Sequence, residues 1–395
     1  DVEFFNSQAI EGGYMGRNVV RQRNLAALDA GERNFTLVKP DNMFSLAGLR
    51  YLLTGFIPIS QWVQPILAWL SLVGALFLGF FGFNVLMRRQ WVEYERFTFP
   101  MNIVPRFLFG SGEGEGGVFR NKVMWAGFAV ILPLVLLKGL HFYLPLVPGY
   151  DWNDIWYPIP LAKLSANPLW IAFFQKLDIS LVFTLLAIAL LVQTDLLFSI
   201  WAVYLLYQLL PFCGSTFNFT RFAGYPWHYQ QAIGSFIAYA LIAIYAARRH
   251  LAAIFRHLFG RQPLDDSDEV VPYRVAVLCV FASLVLFVAW GLWTKMGAWT
   301  SLLFFGYMLI VGFAGSKIRA ECGLPFGYWA PYYNMFFMSA LGGVVVFGAT
   351  GMLVASIASS FMSVACFFFI SPVQVEMMEL GRFFRVRPRD IGHGL

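Results

Sequence analysis

Two short stretches place carboxylates, a guanidinium and proline at the edge of apolar runs. One is Trp91-Val-Glu-Tyr-Glu-Arg-Phe-Thr-Phe-Pro100, continuing through Met101-Asn-Ile-Val-Pro105; the other is Arg319-Ala-Glu-Cys-Gly-Leu-Pro-Phe-Gly327. Proline removes a backbone donor and glycine loosens the chain, so both stretches predict interrupted structure around Glu95 and Glu321. Non-helical backbone survives at membrane depth only where it is buried in protein or lines water. Paired interruptions of this kind point to the substrate site of a transporter. A partly buried carboxylate at such a site can carry a coupling proton. The residues alone leave a second reading open, in which both stretches are cytoplasmic loops whose Glu–Arg pairs fix helix packing.

Lys138 and His141 form a second candidate. They stand three residues apart in an apolar run, hence on one helix face, with Pro133 shortly before them. Either they line a pathway, or Lys138 snorkels outward with His141 near the headgroups. His250 and His257 lie seven apart on a basic amphipathic stretch, which predicts a solvated face at the membrane surface rather than a metal site. No glycine-rich phosphate loop, His-Glu-x-x-His helix or Cys-x-x-Cys pair occurs, so neither an enzyme nor a bound cofactor or metal is expected.

The surrounding chain explains why membrane chemistry is the frame. Of 395 residues 59% are hydrophobic and only 13% charged, about half the charge of a soluble domain. The net charge of +6 follows from arginine-rich cytoplasmic loops, and nucleic acid is not expected as a partner. Runs long enough to cross a bilayer are Trp62–Met87, Val123–Val147, Ile179–Gln193, Leu196–Phe212, Ala232–Ala247, Val275–Trp293, Trp299–Ala314 and Met335–Ile370. The last is too long for one crossing and is divided near Gly348–Gly351. The expected fold is an all-α polytopic transmembrane helical bundle of about nine spans with re-entrant or interfacial segments. Alternation of the loops under the positive-inside rule puts Arg88 to Lys122, Arg248 to Arg274, Lys317 with Arg319, and Arg382 to Arg389 on the cytoplasmic side. Three regions result: an extramembrane segment over 1–60, the transmembrane domain over 61–372 and a basic cytoplasmic tail over 373–395. The chain begins at Asp1 rather than Met, and an upstream portion is expected to be missing or removed.

Trp62-x2-Pro65-x3-Trp69, Arg88-Arg-Gln-Trp-Val-Glu-x-Glu-Arg-x-Thr-Phe-Pro100, Phe198-Ser-Ile-Trp201 and Arg319-Ala-Glu-x-Gly-Leu-Pro325 resemble a large uncharacterised bacterial membrane family. Through Thr98-Phe99-Pro100 that family distantly resembles the oligopeptide transporter superfamily. The resemblance implies proton-coupled secondary transport of peptides or metal chelates across the bacterial inner membrane. It places Glu95, Thr98, Phe99 and Pro100 in a re-entrant element near the substrate, with Glu321, Gly323 and Pro325 as its counterpart beside Arg319. The partners expected are the lipid bilayer, a small-molecule or peptide substrate, and a homo-oligomer or larger membrane complex. The competing expectation is a non-catalytic accessory or scaffold subunit of such a complex; a pigment- or quinone-binding subunit ranks third.

Overall fold

A computed structural model describes residues 19–21, 37–39, 44–46, 48–50, 59–109, 119, 121–144, 146–147, 159–160, 166–174, 178–179, 186, 189–190, 192–260, 264–323, 334–362 and 369–394. The chain falls into two units, Asp1–Val73 and Gly74–Leu395. In the first, β1 (Val19–Arg21) pairs in parallel with β2 (Leu37–Lys39), Val19 lying opposite Leu37. Helix α1 (Ile59–Arg89) starts in that unit and continues into the second.

Among its described residues the second unit is helical apart from one short antiparallel pair. Its elements are α2 (Ile103–Phe109), α3 (Lys122–Tyr143), β3 (Ile159–Pro160), α4 (Pro168–Phe174), β4 (Asp178–Ile179), α5 (Thr194–Thr216) and α6 (His228–Ala246). There follow α7 (Arg248–Leu258), α8 (Tyr273–Trp293), α9 (Ala298–Cys322), α10 (Asn334–Ala340), α11 (Gly343–Met362), α12 (Ile370–Phe383) and α13 (Pro388–Gly394). Ile159 pairs with Ile179 in the β3–β4 ladder.

Helix α9 is the packed centre of this unit, touching α6, α8, α12, α10 and α11. Two thirds of its most apolar stretch (67%) is buried in protein, against none for α3 and 6% for α5. The difference lies in side-chain size. Gly312, Ala314, Gly315 and Ser316 are buried on α9, and small residues allow membrane helices to approach closely where lipid removes the hydrophobic drive between them. Next to α9, Phe287 of α8 stacks on Phe305 at 4.5 Å between centroids, and Trp290 meets the same ring edge-on. Helices α1 and α8 approach backbone to backbone at Gly82, where a Cβ would lie 2.5 Å from the Ala276 carbonyl oxygen.

Among the described residues six helices are long and apolar enough to span a membrane, and the pair α6–α7, bent by 63°, makes up to seven. These helices mark a membrane protein; the expected nine spans are not all present among the described residues. Ile179–Gln193 lies largely outside them. The long final run is broken near its expected position, with Gly348 non-helical inside α11 (φ 71°, ψ 163°). A further break falls at Gly342 and Gly343, both at positive φ, so that α10 has only seven residues, far too few to cross. Residues 373–395, set apart by composition as a tail, form most of α12 and all of α13 in the same unit, with Val375 and Met378 buried. Helix α7 also departs from the solvated helix expected of it. His250 is buried and its Nε2 meets the Leu86 carbonyl oxygen at 2.9 Å, while His257 Nδ1 accepts from the Leu264 amide.

Because the Gly82 contact is with backbone, relief requires α1 and α8 to separate. Gly82→Ala is expected to destabilise the protein by about 1–3 kcal/mol, in the range of other overpacked cores, read as a lower melting temperature of the detergent-purified chain.

Candidate functional site

The site is built where α1 ends. Arg88 and Arg89 close the helix and the chain passes into a wider π-helical turn, Gln90–Tyr94, that buries Trp91. The turn is held by the Glu95 amide donating to the Gln90 carbonyl at 2.9 Å and the Phe97 amide donating to Trp91 at 3.0 Å. Arg96 and Phe99 then adopt left-handed backbone at φ 55° and 46°. A bulky residue in that region costs on the order of 1–2 kcal/mol and persists only where its surroundings over-determine it. For Phe99 they do. Its ring is buried in a cluster with Met87, Trp91, Phe313 and Ala320, and its amide donates to the Ala320 carbonyl at 3.2 Å. A short 3₁₀ turn, Pro100–Asn102, leads into α2.

The partner surface is the last turn of α9. Lys317 and Glu321, four residues apart, share one face, while Arg319 points about 200° around the helix from Lys317. Lys317 Nζ lies 2.6 Å from Glu95 Oε2 and 3.8 Å from Glu321 Oε2, and 4.2 Å above the Phe97 ring. The Gln90 amide donates to the other Glu95 oxygen at 3.1 Å, and the Tyr239 hydroxyl of α6 donates to Glu321 Oε2 at 2.7 Å. The Lys317 side chain is only 10% exposed, whereas that of Glu321 is 46% exposed. One end of the cluster is therefore closed and the other open.

On the opposite face Arg319 Nε donates to Glu376 Oε1 of α12 at 2.6 Å, with both side chains nearly buried. The guanidinium also sits 4.9 Å from the Phe369 ring centroid. Asn102 links the broken segment to the same helix by donating to the Glu376 carbonyl at 3.3 Å. Deeper in the bundle, Asn84 donates to the Ser371 carbonyl and to Gln374 Oε1, and Ser316 and Ser371 share a hydroxyl contact at 2.6 Å. Helix α9 ends at Gly323 in left-handed conformation (φ 63°, ψ 38°). A Cβ on Gly323 would approach Pro100 Cβ to 2.5 Å, so the two interrupted stretches meet backbone against ring.

Of the residues singled out by sequence, Glu95, Phe99, Pro100, Glu321 and Gly323 come together in this one region, and Arg319 anchors its far side. Thr98 is exposed beside them. Pro325 lies outside the described residues. Lys138 and His141 stand on α3, which buries none of its apolar stretch; His141 Nδ1 is 2.6 Å from the Val147 carbonyl oxygen just past the helix end. Sequence reasoning missed Lys317, Tyr239 and Glu376. The Lys317/Glu321 spacing of four was a usable signal; Tyr239 and Glu376 carried none, since each meets its partner only through helix packing.

The buried Arg319–Glu376 pair predicts a thermodynamic signature. Arg319→Met alone should cost about 3–5 kcal/mol by stranding Glu376, while Arg319→Met with Glu376→Leu should recover most of that loss. Thermal unfolding of the three proteins in one detergent checks both outcomes.

No curated protein and no solved structure matches the chain. A family model described as "Family of unknown function (DUF6785)" matches residues 6–395, and the chain belongs to that family.

Proposed function

We propose that the protein is a proton-coupled secondary transporter of peptides or metal chelates, multi-pass in the bacterial inner membrane, with Glu95, Lys317, Glu321 and Tyr239 at its coupling site. One observation carries the reading: two carboxylates share a single ammonium between an interrupted segment and the end of a membrane-spanning helix. Two negative charges and one positive leave the cluster one charge short of neutral. A proton or a cationic group of the substrate supplies the missing charge. Either arrival weakens the hold of one carboxylate on Lys317, and the loosened Glu95 or Glu321 then releases the segment it carries. Helix-end interruptions facing each other are the usual setting for such exchange, and the Thr98-Phe99-Pro100 element adds its likeness to oligopeptide transporters.

A second reading, an accessory or scaffold subunit, is favoured by α3 and α5. Their apolar stretches are buried 0% and 6% within the chain, which leaves long faces for lipid or for partner helices.

Proteoliposomes with an imposed inward proton gradient separate the two. With a labelled tripeptide and an iron(III)–citrate chelate as probes, the transporter reading expects uptake of at least one probe, coupled to proton entry reported by an internal pH dye. Glu95→Gln and Glu321→Gln should each lower that uptake markedly, because a neutral amide cannot carry the coupling proton that an intramembrane carboxylate would. Uptake no greater than in protein-free vesicles would overturn the reading in favour of the scaffold. Unchanged uptake in both variants would remove these carboxylates from the mechanism.

A further inference from the structure

A cavity of about 350 Å³ opens at the arginine-bearing end of the second unit, between the end of α1, the loop before α8, the end of α12 and the start of α13. Four arginines line it: Arg88, Arg382, Arg385 and Arg387. Two acidic residues, Glu93 and Asp268, share the wall.

The local pairing decides how much of that positive charge is available. Arg88 is neutralised by Glu269 at 2.7 Å, and Glu93 is taken up by Arg89 at 2.9 Å. Arg382 lies 3.9 Å from Glu379, a carboxyl that burial pushes above the usual carboxylate range despite Arg382, Arg88 and Arg106. Arg385 and Arg387 form no ion pair among the described residues. Among the described residues the wall therefore carries two arginines without an ion pair and a third loosely held, with Asp268 the one lining carboxylate not engaged by an arginine side chain.

The backbone gives a second, independent indication. The Arg385 amide donates to the Arg382 carbonyl at 3.0 Å and the Val386 amide to the Gly381 carbonyl at 2.9 Å. This is a Schellman closure of α12, and it places Arg385 at the left-handed position (φ 56°) that glycine ordinarily fills. Nothing in the helix end itself calls for arginine there. The residue is held in a disfavoured conformation and lines the cavity.

Forked guanidinium donors pair bidentately with the oxygens of a phosphate, several arginines together suit its higher charge, and the cavity volume exceeds that of a lone phosphate and suits a phosphorylated headgroup or small organophosphate. We propose that this cavity binds a phosphate group, supplied by the headgroup of an anionic lipid or by a free phosphate compound, through Arg382, Arg385 and Arg387.

The test uses the full chain in nanodiscs. In one arm the protein sits in phosphatidylcholine and is titrated with inorganic pyrophosphate at low salt, binding being followed by calorimetry. In the other, retention of phosphatidylglycerol over phosphatidylcholine is measured by native mass spectrometry. Binding in the first arm assigns a free phosphate compound, and selective retention in the second assigns a lipid. Arg385→Gln with Arg387→Gln should weaken whichever signal is seen about tenfold or more, as expected for loss of charge-assisted bidentate bonds; Arg256→Gln, on exposed α7 surface, should leave it unchanged. Arg385→Gly guards against misfolding, since glycine suits the left-handed position: its melting temperature should hold or rise while binding falls. No signal in either arm, or full binding by Arg385→Gly and by the double variant, would overturn the proposal.

Discussion

An ammonium group held away from water on a membrane helix must have its charge met at short range, because the solvation it gives up is worth several kcal/mol. Lys317 is in that position, and Glu95 meets it at 2.6 Å from a segment 222 residues earlier in the chain. The shape of the broken segment follows from this requirement. The wide turn at Gln90–Tyr94 brings Glu95 round to the lysine, Phe97 places its ring beneath the ammonium, and Phe99 accepts left-handed backbone so that its amide can reach Ala320. Pro100 then fits against Gly323, where any side chain would collide. Phe99 conformation, Lys317 pairing and the glycine at the end of α9 are one arrangement, and each depends on the other two.

The same helix solves a second problem on its other side. Arg319 faces α12 and is matched by Glu376, while the Asn84–Ser371–Gln374 group ties α1 to α12 above it. Lipid tails offer no hydrophobic incentive for helices to associate, so membrane bundles rely on close packing and polar contacts between helices. Helix α9 uses both, with small residues along its length and opposed charged faces at its end. Such an end is buried at Arg319 and Phe99 and open where Glu321 meets solvent, a gradient consistent with the coupling role proposed for it.

Much of this was legible beforehand, and the residues show why. Proline and glycine at Pro100 and Gly323 marked the interruptions through backbone chemistry alone, whereas Pro105 falls inside the short helix α2, and carboxylates beside the interruptions marked candidate chemistry. Long apolar runs placed α1, α3, α5, α6 and α8 within a few residues of their observed limits, but the run Trp299–Ala314 stopped well short of the end of α9 at Cys322, because Lys317, Arg319 and Glu321 break its hydropathy. The burial of α12 was not legible, because Glu376, Glu379 and Arg382 make its composition that of a surface segment. His250 was misplaced for the same reason: a basic helix reads as solvated until a neighbouring carbonyl, here Leu86, is seen to satisfy it.

Hydropathy, charge and backbone permission are properties of neighbouring residues, and so the amino-acid order alone determined that this is a helical membrane protein with two proline- and glycine-broken stretches. Which charges neutralise one another is a property of distance across the fold. Lys317 could have served Glu321 alone, and Arg319 has no carboxylate on its own face of α9 to name its partner. Only the packing of α9 between the end of α1, α6 and α12 assigned Glu95 to Lys317 and Glu376 to Arg319, because a buried charge takes the partner that tertiary contact brings within hydrogen-bonding reach.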